Sequence, residues 1–260
     1  MRCKFCNEDK PLIKAHIIPA PFSTKNGARI LSSLPEVYPK KSPIGVYDEN
    51  ILCAECDGSF GLLDQHVIEK ILTKEGKFHS DGEFGVRHYL EAVPGIVRLF
   101  ALSVAWRAHH STHEMFANVD LGPHEAPIKR DLLEPLDHRK VSAFVHEFDH
   151  RNPPIISPMP ERYDKVRFLR IYAGRLIFSV KVDQRPMPPD LDYFDLLVNK
   201  QTFSLVVPWI GSAEASLAID IVSGSAHNRQ LANRWRKETA SGDLLSVFRL
   251  ATGRVKFLSK

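Results

Sequence analysis

The sequence predicts an α+β protein in two parts: a small zinc-stapled ββα unit, followed by a larger domain in which one long helix packs on an antiparallel sheet. Three observations favour this fold. All four cysteines stand in two Cys-x-x-Cys pairs near the N-terminus. Two short β-like stretches between the pairs precede an amphipathic helix pattern. Farther along, a long apolar helix pattern precedes strand patterns that prolines and glycines separate.

The two cysteine pairs predict a structural zinc site. Cys3 and Cys6 form the first pair, and Cys53 and Cys56 form the second. Four thiolates are the ligand set of a closed tetrahedral zinc. Two redox pairs or buried free thiols are the alternatives, but a redox pair normally stands alone at a helix start in a βαβ unit. We therefore expect Zn²⁺ on these four cysteines.

The residues between and after the pairs predict strand, loop, strand and helix, in that order. Residues 10–20 favour a short strand that stops at two prolines, and residues 22–43 form a polar loop with prolines and glycine. Residues 44–52 contain a second strand or hairpin arm. From Asp57 onward, apolar residues recur at helical spacing as far as Leu72. Zinc would hold the starts of the strands to the start of the helix.

This pattern resembles a known family. Two cysteine pairs around the stretch Lys14-Ala15-His16-Ile17-Ile18-Pro19, with Asn50 just ahead of the second pair, look like the HNH endonucleases of the ββα-metal type. The resemblance covers residues 1–75, which we take as the first domain. It implies that His16 is the general base that activates a water, that Asn50 orients the loop and the histidine, and that Asp57 binds a divalent metal.

The sequence departs from the family at three positions. Ala15 stands where the family usually has an acid or a histidine, often as a metal ligand. Asp57 replaces the last family histidine, and a carboxylate suits Mg²⁺ or Mn²⁺. Asn50 lies three residues before Cys53, closer than is usual. Substrate phosphates and water commonly complete a magnesium site, so the loss of one ligand is compatible with activity.

The chemistry of phosphodiester hydrolysis agrees with these roles. The reaction needs a base for the attacking water and a cation that stabilises charge on the phosphorane and the leaving oxygen. An imidazole on a strand and a carboxylate at a helix start can provide both. The alternative for His16 is a partly buried strand histidine, and the alternative for Asp57 is a helix N-cap.

The function predicted on this basis is that of a metal-dependent endonuclease. We expect it to hydrolyse phosphodiester bonds in DNA, with RNA as the less favoured substrate. The resemblance alone implies a setting in bacterial restriction or antiphage defence. The alternative is a catalytically inactive zinc module that binds nucleic acid or a partner protein, and Ala15 favours this alternative.

The remainder of the chain predicts a second α+β domain, residues 86–260, that regulates the enzyme or holds its substrate. Residues 73–85 are polar and contain glycine, which is typical of a linker. A long apolar helix begins at Pro94, and a shorter one covers residues 126–133. Strand patterns follow, including a hairpin that turns at Gly174.

The C-terminal end is basic. Residues 226–260 contain eight lysines and arginines and two acidic residues, a net charge of +6 that exceeds the +4 of the whole chain. The candidates for nucleic-acid contact are Arg229, Arg234, Arg236 and Lys237. A solvated helix face is the alternative. In that case the basic end would serve self-association, as in a homo-oligomer, or a regulatory protein partner.

Nothing in the sequence predicts a membrane partner. No apolar run approaches the ~18–20 residues of a membrane span, and no hydrophobic segment follows the first residues as in a signal peptide. We therefore expect a cytoplasmic protein. Thiols in a reducing cytosol are expected to bind zinc and not to form disulfides.

Overall fold

The protein has a mixed α+β fold, which confirms the predicted class. The computed structural model describes residues 1–24, 30–31, 45–80, 85–138, 140–149 and 155–207, together with residues 212 and 215. The strands are β1 (Ala15–Ile18), β2 (Ile30–Leu31), β3 (Val46–Asp48), β4 (Lys77–Ser80), β5 (Gly85–Tyr89), β6 (Ala143–Phe148), β7 (Ile155–Ile156), β8 (Met159–Tyr163), β9 (Val166–Ala173), β10 (Leu176–Lys181) and β11 (Thr202–Val207). The α-helices are α1 (Pro21–Thr24), α2 (Ala54–Val67), α3 (Pro94–His110) and α4 (Glu125–Leu133). A π-helical stretch, Ile68–Leu72, continues α2, and short 3₁₀ helices cover Glu114–Phe116, Gly122–His124 and Pro189–Phe194.

The N-terminal part contains the predicted strands β1 and β3 and the predicted helix α2. The prediction of a loop over residues 22–43 is wrong where α1 ends and at β2, which pairs parallel with β7. Strands β1 and β3 pair antiparallel, with Ala15 opposite Asp48 and His16 opposite Tyr47. Gly45 enters β3 at φ +77°, and a Cβ there would lie 2.9 Å from the Cα of Ala20. Glycine is therefore required where the two strands approach each other.

Helix α2 begins earlier than the sequence predicts. Cys53 is its N-cap, with an extended backbone, and the N–H of Asp57 donates to the carbonyl of Cys53 at 3.0 Å. Asp57 therefore lies inside the first turn and is neither the first residue of the helix nor its cap. Hydrophobic periodicity, which starts at Phe60, could not reveal the first turn, because its exposed positions are occupied by small and polar residues.

The large sheet has seven strands in the order β4-β5-β11-β6-β10-β9-β8. All neighbouring pairs are antiparallel except β11 and β6, which are parallel. The prediction of a purely antiparallel sheet is therefore wrong at this pair. The predicted hairpin is present as β9 and β10, and Gly174 in its turn has φ +64°. Sequence patterns show which segments are strands, but the insertion of β11 between β5 and β6 depends on long-range pairing.

The segment predicted as a linker, residues 73–85, contributes to this sheet. Strand β4 lies within the segment, and β5 begins at its last residue. All four residues of β4 are exposed. An edge strand with no buried face lacks the alternating pattern by which strands are recognised, which explains the error.

Helix α3 connects the N-terminal part to the sheet. It contacts strands β6, β9 and β10, and also β1 and α2. Trp106 of α3 is fully buried, with its ring 5.1 Å from that of Phe5, which in turn lies 4.8 Å from Phe60. One hydrophobic cluster thus includes residues from both predicted domains. The division of the chain into two domains stays a prediction.

None of the helices in the described ranges combines the length and the apolarity that crossing a membrane would require.

Candidate metal centre and active site

The four cysteines form one cluster, as the sequence predicts. The four Sγ atoms lie within 4.8 Å of one another, and those of Cys6 and Cys53 are 4.0 Å apart. A tetrahedron with Zn–S bonds of about 2.3 Å has S···S edges of about 3.8 Å. Cys3, Cys53 and Cys56 are buried, and Cys6 is half-buried. The cluster can therefore hold a metal such as zinc.

Two local structures bring the cysteine pairs together. The first pair is closed by a turn in which the N–H of Asn7 donates to the carbonyl of Cys3 at 2.9 Å, with Asn7 at φ +62°. Asparagine tolerates this left-handed conformation better than most residues. The second pair combines the N-cap and the first turn of α2. A hydrogen bond from the N–H of Lys4 to the carbonyl of Ile51, 3.0 Å long, joins the two halves.

The thiols affect one another electrostatically. Burial would raise the pKa of Cys3, but backbone N–H groups of Cys6 and Cys53 lower it to about 7. Burial and the neighbouring thiols together raise the pKa of Cys56. Four thiolates at this distance repel one another, and a divalent cation would allow all of them to ionise. Within the described ranges, this cluster is the only group of three or more Cys, His, Asp or Glu side chains placed to share a metal.

His16 and Asp57 lie close enough for the charge of His16 to act on Asp57, and Asp57 directly follows Cys56 of the four-cysteine cluster. His16 is half-buried on β1, and Asp57 is half-buried in the first turn of α2. Burial raises the pKa of Asp57, while the charges of Arg107 and His16 oppose this rise and that of Asp64 adds to it. No group in the described ranges donates a hydrogen bond to the Asp57 carboxylate. This carboxylate is therefore available to a cation or to water.

Asn50 is not joined to His16 by a hydrogen bond. Its side chain is exposed and makes no hydrogen bond to a described residue, whereas its backbone N–H donates to Oδ1 of Asp48 at 2.8 Å. Its role in orienting the histidine, which the resemblance implies, stays a prediction.

Two residues that the sequence reasoning missed complete the surroundings of His16. Arg107 of α3 is fully buried, and its Nη1 donates to the carbonyl of His16 at 2.7 Å. The same guanidinium forms a bidentate pair with Asp64 of α2 at 3.0 and 2.8 Å. An arginine among the apolar residues of a buried helix was the available signal. The Asp64 carboxylate is occupied by this pair.

Asp48 connects β3 to the chain that follows α3. The side chain is buried, and its Oδ2 accepts hydrogen bonds from the hydroxyls of Ser111 and Thr112, both at 2.9 Å, and from the N–H of Thr112 at 2.6 Å. Burial would raise the pKa of Asp48, but the donors on Thr112, Asn50 and Ser111 lower it overall. Asp48 is thus a structural anchor.

Replacing Asp48 with asparagine should destabilise the protein by about 2–3 kcal/mol at neutral pH, because an amide nitrogen cannot accept the donated hydrogen bonds. The folded-state pKa lies below the ordinary 3.8, so the stabilisation is present above 3.8 and is lost as the pH falls through the folded pKa. Urea unfolding of both proteins at neutral and acid pH measures this difference. The exposed Asp137, replaced in the same way, should change stability by less than about 0.5 kcal/mol. Equal losses at both positions would contradict the prediction.

The candidate nucleic-acid residues Arg229, Arg234, Arg236 and Lys237 lie outside the described residues. Their predicted contact with DNA stays a prediction.

The resemblance to HNH endonucleases also stays a prediction after comparison with known proteins. Comparison of the chain with protein-family models gives no match, and comparison with curated proteins and with solved structures gives none either.

Proposed function

We propose that this protein is a metal-dependent endonuclease of the HNH type that hydrolyses phosphodiester bonds in DNA. The observation that carries the proposal is the placement of His16 and Asp57. His16 lies on β1 and Asp57 in the first turn of α2, and they are close enough to influence each other electrostatically. The N-cap of α2, Cys53, belongs to the four-cysteine cluster and forms a β-bridge with Leu12, three residues before β1. A base and an available carboxylate at one place are what phosphodiester hydrolysis requires.

In this proposal, His16 accepts a proton from the attacking water, the resulting hydroxide attacks the phosphorus, and the bond between the phosphorus and the leaving oxygen breaks. The leaving oxygen takes its proton from solvent water. Asp57 would hold Mg²⁺ or Mn²⁺, with substrate oxygens and water completing the coordination, and that cation would supply charge stabilisation for the phosphorane and the leaving oxygen. The cysteine cluster would hold Zn²⁺ and fix the strand to the helix.

The preference for a nucleic-acid substrate is supported by positive charge near the histidine. Nζ of Lys14 lies 3.6 Å from the centre of the Tyr47 ring, and Tyr47 is the cross-strand partner of His16. Lysine and an aromatic ring are suited to phosphate and to base stacking, respectively. The basic C-terminal end would add affinity for the backbone. A setting in restriction or antiphage defence is proposed from the resemblance only.

A zinc module that binds nucleic acid or a protein without cutting is the second candidate. Ala15 is fully buried and offers no ligand where the family has one. In the described ranges, His16 and Asp57 do not belong to a second group of three potential metal ligands. Both observations favour binding without hydrolysis.

Supercoiled plasmid DNA, incubated with the purified protein and Mg²⁺ or Mn²⁺, tests the proposal. We expect nicked or linear product that depends on the metal. Asp57→Asn should raise the metal concentration needed for half-maximal cleavage by at least tenfold, on the order of the ~10–100-fold losses seen at weakened metal sites. Glu55→Gln is the matched control, because Glu55 is an exposed acid in the same helical turn.

Metal-independent cleavage, or an identical metal requirement in Asp57→Asn and wild type, would show that Asp57 is not the ligand. DNA binding without any cleavage would favour the second candidate.

A further inference from the structure

Arg107 joins three elements around the proposed catalytic base. Its Nη1 donates to the main-chain carbonyl of His16 on β1, and both terminal nitrogens donate to Asp64 on α2. Within α3, Nε and Nη2 donate to the carbonyl and the hydroxyl of Ser103 at 3.3 and 3.1 Å. A planar guanidinium that uses all three of its nitrogens has a fixed orientation.

We propose that Arg107 is a positioning residue that sets the geometry of His16 relative to Asp57. This inference rests on the proposed function. Arg107 lies outside residues 1–75, the segment that resembles the HNH endonucleases. Arg107 fixes the backbone of the base directly through the carbonyl of His16. It fixes α2 through Asp64, and α2 carries Asp57.

Helix geometry explains why the contact with Asp64 controls Asp57. The two residues are seven apart, which is close to two helical turns, so they lie on the same face of α2 at a separation of about 10 Å along the axis. The charges of Arg107 and Asp64 both act on Asp57. A rotation or shift of α2 would therefore move Asp57 relative to β1. Misplacement by ~1 Å can lower a rate by about 10²-fold.

A purely stabilising ion pair is the competing explanation, and α3 contains one for comparison. Arg98, nine residues earlier on the same helix, is also buried and pairs with the buried Asp131 at 2.5 Å. It also donates to the carbonyl of Val141 at 3.1 Å. The two arginines thus share a helix, a buried position, a carboxylate partner and a carbonyl acceptor. Of the two, only Arg107 donates hydrogen bonds to β1 and α2.

The experiment compares Arg107→Met with Arg98→Met in plasmid cleavage, well below the unfolding temperature of each variant and at equal zinc content. We expect kcat to fall by about 10²-fold in Arg107→Met with little change in KM, and to stay at the wild-type value in Arg98→Met. Arg107→Lys, which keeps the charge but loses the bidentate geometry, should recover only part of the loss. A kcat in Arg107→Met equal to that of wild type would overturn the inference.

Nuclear magnetic resonance on protein with ¹⁵N-labelled histidine separates this inference from the proposed function. We expect the backbone and ring signals of His16 to move in Arg107→Met and to stay in place in Arg98→Met, whether or not the wild type cuts DNA. Unmoved His16 signals would overturn the positioning role. Absence of cleavage by wild type with moved signals would instead overturn the proposed function alone. If Arg107→Met fails to fold, Asp64→Asn and Asp131→Asn give the same matched comparison.

Discussion

Replacing Cys56 with serine should abolish the zinc binding that we expect of the four-cysteine cluster and unfold the N-terminal part of the protein. Structural zinc sites bind with apparent free energies of about 10–16 kcal/mol in zinc-finger peptides, whereas a whole domain is stable by about 5–15 kcal/mol. Serine offers no thiolate, so the cluster would keep only three of its four ligands. We expect one equivalent of zinc in wild type, much less in Cys56→Ser, and a large fall in the unfolding temperature.

The loss should extend beyond the cysteines. Phe5, which lies between the first two cysteines, packs edge-on against Phe60 of α2 and Trp106 of α3. Lys4 in the same turn donates from Nζ to the carbonyl of His110 at 3.1 Å. If the turn unfolds, these contacts to both helices are lost with it. The solvent exposure of Trp106 should rise when zinc is released, and tryptophan fluorescence measures this change.

Ala54→Ser is the control for this substitution. It places a serine in the same turn of α2, at an exposed position between Cys53 and Cys56. We expect it to retain zinc and stability. A chelator should reproduce the effect of Cys56→Ser on the wild type, and added zinc should reverse it. Full stability of the metal-free protein would contradict a structural role for the cluster.

The features predicted correctly from the sequence are those that local residue spacing determines. The spacing within each Cys-x-x-Cys pair allows both thiolates to bind one metal ion. The four-cysteine cluster could therefore be predicted without knowledge of the fold. The long apolar pattern after Pro94 determines α3, and Gly174 determines the turn between β9 and β10. Each of these depends on residues that are neighbours in the chain.

The features that were missed depend on residues far apart in sequence. Arg107 meets His16 across 91 positions and Asp64 across 43, and no local pattern links them. The exposed edge strand β4 and the parallel pairing of β11 with β6 were missed for a related reason, since partner strands determine both. The candidate site was therefore predicted as a segment of about 75 residues, whereas α3 completes its surroundings.

Replacing His16 with alanine should lower the rate of DNA cleavage by about 10²–10⁴-fold, the usual contribution of a general base. The reason is that no other side chain is proposed to take the proton from the attacking water. The substitution should leave zinc content unchanged, because His16 is not part of the cysteine cluster. Cleavage rates of supercoiled plasmid at saturating metal, for wild type and His16→Ala side by side, measure the effect.

His79→Ala is the matched control for this substitution, because His79 is an exposed histidine on the edge strand β4. We expect its rate to equal that of wild type. If His16→Ala and His79→Ala both cut at the wild-type rate, His16 is a strand histidine without a catalytic role. If neither the variants nor the wild type cut while all three bind DNA, the protein is a binding module without hydrolytic activity. His16 would then contribute to a surface for nucleic acid, and the buried Arg107 would only hold β1 to α2, with no role in hydrolysis.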